Sequence, residues 1–71
     1  MRLQVDRETD ALYLRLDDSR IVESDEVAPD IVLDYNDANE VVGVEILHLS
    51  RRSSSIELNK LVFEAATAAA R

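Results

Sequence analysis

Residues 30–49 read DIVLDYNDANEVVGVEILHL. Ile31, Leu33 and Tyr35 recur at every second position of the first half. Val42, Val44 and Ile46 do the same in the second half. Period-two alternation is the mark of a strand with one covered face, so the run reads as two strands, over 30–36 and 41–48. The two apolar sets meet on one face only if odd positions pair with even ones. A four-residue loop, 36–39 or 37–40, satisfies that condition. The 36–39 loop puts Asn39 at its last position, which often needs positive φ, and asparagine is among the few residues besides glycine that tolerate it. Gly43 is the chain's single glycine and lies inside the second strand. There it marks a bulge or a close approach by another element, or simply sits on the less crowded face of the sheet.

Upstream, residues 2–6 read as a short strand and 11–16 as another, with a polar turn between them. If Asp6 and Ala11 flank the turn, Val5 pairs with Leu12 and Leu3 with Leu14, and a one-residue slip would split the two apolar sets. Residues 17–20 form a further turn of self-bonding side chains. Residues 21–27 carry Glu23, Ser24, Asp25 and Glu26 in the middle, a charged strand suited to a sheet edge. Pro29 closes it, because proline has no N–H to give a ladder. Downstream, 49–53 reads as a loop, and Ser54 with Glu57 fits a capping box. A helix over 54–71 is predicted, with Leu58, Leu61, Val62, Ala65 and Ala69 on one stripe. Its first turns are expected to dock, and its alanine-rich end offers little to bury. The expected architecture is α+β: one domain, an antiparallel β-meander of four to five short strands over 1–49, then one C-terminal helix packed on the sheet.

The chain has 71 residues, and a domain of that length buries only roughly 60% of its unfolded surface. Small domains make up the shortfall with disulfides, metal or self-association. There is no cysteine and a single histidine, which leaves self-association, so a homodimer is the expectation. The formal charge is −7, from 15 acidic and 8 basic residues. That sign opposes direct nucleic-acid binding and anionic membrane surfaces. It suits a basic protein partner, although net charge also serves solubility alone. No run reaches the ~18 apolar residues of a membrane span, and a cytoplasmic location is expected.

The stretches DALYLRL, SDEVAPDIVLDY and VVGVEIL resemble the DUF2283 family of small bacterial and archaeal proteins. The matching residues are Asp10, Ala11, Leu12, Tyr13, Ser24, Asp34, Gly43, Glu45 and Ile46, within 5–50. The family usually has glycine where Asn39 stands, which agrees with the turn proposed there. The C-terminal segment lies largely outside the pattern. The resemblance implies the fold and brings no catalytic or ligand residues with it. Members are sometimes encoded beside small proteins resembling RNase-type toxins, which implies, for the family, an antitoxin-like or partner-binding role.

The residues themselves offer few chemical sites. Asp34 and Glu45 share the face opposite Ile31 and Val44, where paired carboxylates could hold a divalent cation. Strand alternation alone puts acids on an open face, and spacing fixes no third ligand. His48 lacks a serine on a strained strand-to-helix turn and reads as a strand-end residue. Tyr13 and Tyr35 read as partly covered rings with wet hydroxyls. Arg51 and Arg52 form a lone basic pair, and Ser53, Ser54 and Ser55 offer phosphorylatable hydroxyls, although capping explains Ser54 without that. No catalytic, cofactor-binding or metal-binding residue is therefore assigned. Asp34, Gly43 and Glu45 are left as a candidate contact surface on the face away from the core. The expected function is a non-enzymatic, homodimeric protein-interaction module, antitoxin-like as the family implies. The alternative is a small enzyme or ligand- or metal-binding domain whose site forms at a dimer interface and draws on Asp34, Glu45 and His48.

Overall fold

The structure, a computed structural model, describes residues 1–67. Five strands form one antiparallel sheet: β1 (Arg2–Asp6), β2 (Ala11–Arg15), β3 (Glu23–Ala28), β4 (Ile31–Tyr35) and β5 (Val41–Ile46). A single-turn helix, α1 (Leu49–Arg52), follows. The α+β class is as expected. The order across the sheet is β1-β2-β5-β4-β3. A β1–β2 hairpin and a β3–β4–β5 meander are thus joined where β5 docks on β2. Composition explains the interruption. β5 reads VVGVEI and can be flanked by strands on both sides, whereas β3 carries Glu23, Asp25 and Glu26, which suit an edge.

The register follows the apolar pattern. Leu3 pairs with Leu14 and Val5 with Leu12. Leu12 pairs with Ile46 and Leu14 with Val44, and across β4 the partners are Leu33 with Val44 and Ile31 with Ile46. One face therefore carries Leu3, Val5, Leu12, Leu14, Ile31, Leu33, Val44 and Ile46. The body of the central hairpin has the register of a 37–40 loop. An irregularity then leaves Asp34 opposite Gly43 but Tyr35 opposite Val41, so Val42 is the extra residue of a β-bulge and the loop widens to 36–40. Val42 becomes the most buried side chain, 1% exposed. Asn39 has φ 62°, and the Asn39 and Ala38 amides both bond back to Asn36. The third strand starts two residues later than expected and ends at Ala28, because Val22 is spent bonding the Tyr35 carbonyl just outside the ladder.

The helix expected over 54–71 is corrected. Residues 53–67 form no helix, and 68–71 lie outside the described residues. The helical turn comes earlier, at Leu49–Arg52, and Ser53 ends it in an extended conformation (φ −159°). The proposed capping box is replaced by a local turn in which the Ser53 hydroxyl accepts from the Ser55 amide. Lacking a full turn docked on the sheet, the segment has nothing to offset the nucleation cost of a short helix. Leu49, by contrast, is buried and anchors α1.

Only Ala11, Val42 and Leu49 are buried apolar residues among those described. The shape is a slab of 36 × 36 × 19 Å. Its radius of gyration, 14.0 Å, exceeds the roughly 11 Å expected for a compact chain of this length.

Candidate functional site

The two faces of the sheet differ in kind. On the polar face, Ser24, Asp34, Gly43 and Arg15 lie in one register row across β3, β4, β5 and β2. Tyr13, two residues before Arg15, extends over Gly43 and donates its hydroxyl to Asp34 Oδ2 at 2.7 Å. The Ser24 hydroxyl donates to Asp34 Oδ1 at 2.6 Å. Both carboxylate oxygens of Asp34 are thereby occupied, and the residue is 9% exposed. Four strands are stitched by three side chains, and the stitch passes directly above the glycine. A Cβ at position 43 would stand 2.6 Å from Tyr13 Oη and 2.8 Å from Asp34 Oδ2. The glycine is thus required by a close approach, one of the readings its position allowed. Burial, and then the bond to Asp34, push the Tyr13 phenol above its usual range.

A second set of bonds fixes α1. Asp10 has φ 57°, which aims both its carbonyl and its side chain at the helix start. Its carbonyl accepts from the Leu49 amide at 2.9 Å. Its carboxylate accepts from the Ser50 amide at 3.1 Å and from the Ser50 hydroxyl at 2.6 Å. A residue 40 positions upstream thus supplies the N-terminal cap that His48, with its left-handed backbone, does not make. The Ser50 hydroxyl holds the Asp10 carboxyl below the usual carboxylate range, against a smaller opposing effect of burial. On the other side, His48 Nδ1 lies 3.0 Å from Asp30 Oδ2. Arg52 Nη2 donates to the Pro29 carbonyl at 2.8 Å. The helical turn is therefore clamped between the β1–β2 turn and the β3–β4 turn.

The structure does not bring Asp34, Glu45 and His48 together within the chain. Asp34 is held by Tyr13 and Ser24, His48 pairs with Asp30, and Glu45 lies between Tyr13 and Val32 in register, half-buried. Among the described residues no three His, Cys, Asp or Glu side chains are grouped to hold a metal ion. Of the expected contact surface, Asp34 and Gly43 are buried and Glu45 is half-buried. Sequence reasoning missed the Tyr13–Asp34–Ser24 stitch and the Asp10–Ser50 cap. The signal was present, since Asp10, Tyr13, Ser24, Asp34 and Gly43 all belong to the quoted family pattern.

The opposite face is apolar and thinly covered. Seven of its eight residues are half-buried and Val5 is exposed. Residues 56–63 run beside the β1–β2 half. One apolar groove separates Val5, Leu12 and Leu49 from Ile56, Leu58 and Leu61. A second separates Met1, Leu3 and Leu14 from Leu61, Val62 and Phe63. The last three are 66%, 66% and 75% exposed. The whole chain exposes 5756 Å². A compact monomer of 8.0 kDa exposes only about 4,450 Å², so this chain carries an excess of about 1,300 Å².

No helix among the described residues is long and apolar enough to cross a membrane. No curated protein and no solved structure matches the chain. The family profile described as "Protein of unknown function (DUF2283)" matches residues 2–50. That span contains all five strands and the start of α1, the Asp34 stitch and the Asp10 cap, and the chain belongs to the DUF2283 family.

Proposed function

We propose that this protein is a non-enzymatic protein-interaction module that works as a homodimer, with the apolar face of its sheet as the dimer contact. The observation that carries the reading is the thinly covered apolar face. One layer of strands without a covering layer leaves a hydrophobic surface in water, and folds bury such a surface against a second layer. The polar face supports the same reading from the other side. Asp34, its one buried acid, is committed to holding the strands together through Tyr13 and Ser24.

A partner beyond the dimer would meet the β3 edge, where exposed Glu26 points to the polar face and exposed Glu23 and Asp25, opposite Tyr35 and Leu33, stand at the margin of the apolar face. With a formal charge of −7, a basic protein is the partner whose charge fits best. An antitoxin-like role toward a basic neighbour belongs to this finer reading and rests on the sign of the surface charge.

Sedimentation equilibrium of the full chain and of Val44→Asp tests the dimer. The expected result is a dimer for the former and a monomer with the strand signal retained for the latter. An unchanged state in both would remove the apolar face as the contact.

A further inference from the structure

The two edges of the sheet differ. β1 and β3 end the order β1-β2-β5-β4-β3, and each presents a row of unpaired backbone groups. β3 is guarded against its own kind. A two-fold pairing centred on Ser24 or Asp25 sets acid against acid, and the ladder is irregular between Glu26 and Ala28. β1, which reads RLQVD, has charges only at its ends, of opposite sign, and an unbroken register. Its residues are exposed apart from half-buried Leu3. Among the described residues, no backbone hydrogen bond reaches it from outside β2.

The phase of the ladder shows which groups β1 leaves free. The Leu16 amide donates to the Val42 carbonyl at 2.8 Å, so Leu16 turns its backbone groups toward β5. Alternation turns those of Leu12 and Leu14 the same way, and those of Ala11, Tyr13 and Arg15 toward β1. Their partners Asp6, Gln4 and Arg2 are therefore spent on β2. Leu3 and Val5 point their N–H and C=O groups outward. The end charges are also unmet. Arg2 stands opposite Arg15, a like-charge pair, and among the described residues it forms no ion pair. Asp6 takes the Glu8 and Thr9 amides on Oδ1 and leaves Oδ2 open.

We propose that β1 pairs antiparallel with β1 of a second copy, about a two-fold axis through Gln4 and perpendicular to the sheet. That axis sets Leu3 of each copy opposite Val5 of the other. These are the residues whose backbone groups point outward, so each such pair exchanges both of its hydrogen bonds. The same axis sets Arg2 opposite Asp6, on the polar face, and offers Arg2 the carboxylate that its own chain does not. Centring the axis on Leu3 or Val5 instead matches Arg2 with Gln4 or Asp6 with Gln4, and the charges go unpaired. A second copy is the occupant because the strand is complementary to itself in backbone phase, apolar pairing and charge at one register, and the contact is isologous. It lies on the edge and not on the apolar face, so it is separate from the face contact proposed above. A strand of five residues buries little, which makes this a weak, transient contact that forms at higher concentration than the face contact.

The test uses full-length chain at near-millimolar concentration, half of it isotope-labelled, with isotope-filtered NOE spectra that report contacts between copies only. Gln4 meets Gln4 of the other copy as a non-hydrogen-bonded pair, where α-protons come closest. The expected result is a cross-peak between those two α-protons. Arg2→Asp and Asp6→Arg each set like charges across the axis and are expected to weaken the pairing about tenfold. An equimolar mixture of the two variants sets opposite charges across it again and is expected to restore the cross-peak. Arg2→Asp also removes the like-charge pair with Arg15, so it is expected to fold at least as well as the parent while losing the contact. Asp6→Asn keeps an acceptor for the Glu8 and Thr9 amides, and it is expected to weaken pairing less than Asp6→Arg. Val44→Asp, which spoils the apolar face, is expected to keep the Gln4 cross-peak. No Gln4 cross-peak in the parent, or one that both single variants retain, would overturn the edge contact and leave the face contact standing. Its loss in Val44→Asp would overturn the edge as a separate contact.

Discussion

A methyl group at position 43 would land on the Tyr13 hydroxyl and the Asp34 carboxylate together. The tyrosine can swing its far end away, but only by giving up its bond to Asp34, and the Asp34 Cβ, 3.2 Å from the same point, yields less easily. Gly43→Ala is expected to destabilise the fold by about 1–3 kcal/mol, read as a lower denaturant midpoint with an unchanged slope. Tyr13→Phe removes one hydrogen bond and is expected to cost about 1 kcal/mol. Asp34→Ala strands two donors and is expected to cost more, about 2–3 kcal/mol. If Asp34→Ala were as mild as Tyr13→Phe, the carboxylate would not be the hub of the stitch. Tyr13 also sets an alkaline limit. Its folded pKa is raised, so its contribution is complete below the ordinary tyrosine value of 10.0 and is lost as pH climbs through the raised value. Tyr13→Phe is therefore expected to flatten the fall in stability above pH 10.0, and an identical alkaline profile in the variant would count against this.

At the scale of elements, much was legible. Alternation placed β1, β2, β4 and β5, fixed the β1–β2 register and narrowed the central hairpin to two loops, because a one-residue slip would have sent every apolar side chain to the wrong face; it did not carry the pairing of β2 with β5. The charge on β3 marked it as an edge. Asn39 announced the turn. What the pattern did not carry was the bulge at Val42, since an extra residue breaks the alternation by which a register is read. The helix over 54–67 failed for a related reason. Leu58, Leu61 and Val62 recur at helical spacing, but a spacing of apolar residues states which side would be buried and not whether anything stands there to bury it. The real helical turn depends on Asp10, far upstream, which no local window contains. Asp10→Ala is accordingly expected to release α1 while leaving the sheet intact, seen as faster hydrogen exchange at the Leu49 and Ser50 amides with little change at β5. The same cap has an acid limit. The Asp10 carboxyl is held below its ordinary value of 3.8, so its contribution is present above that pH and is lost as pH falls through the lowered value. Uniform exchange across both elements in the variant would show that Asp10 is not a local clamp.

For the whole molecule, the candidate site was legible by residue and not by role. Asp34 and Gly43 stood out in the sequence as unexplained by the core, and the structure spends them on cross-strand stitching. The open surface is the other face, formed by residues that alternation had assigned to a core. That assignment holds only if a second layer exists, and the described residues of one chain form no full second layer. In the proposed homodimer the second copy supplies that layer. The most direct measurement is the mass in solution, by light scattering on the full chain at tens of micromolar. The account predicts twice the 8.0 kDa chain mass; a species of 8.0 kDa across that range would contradict it.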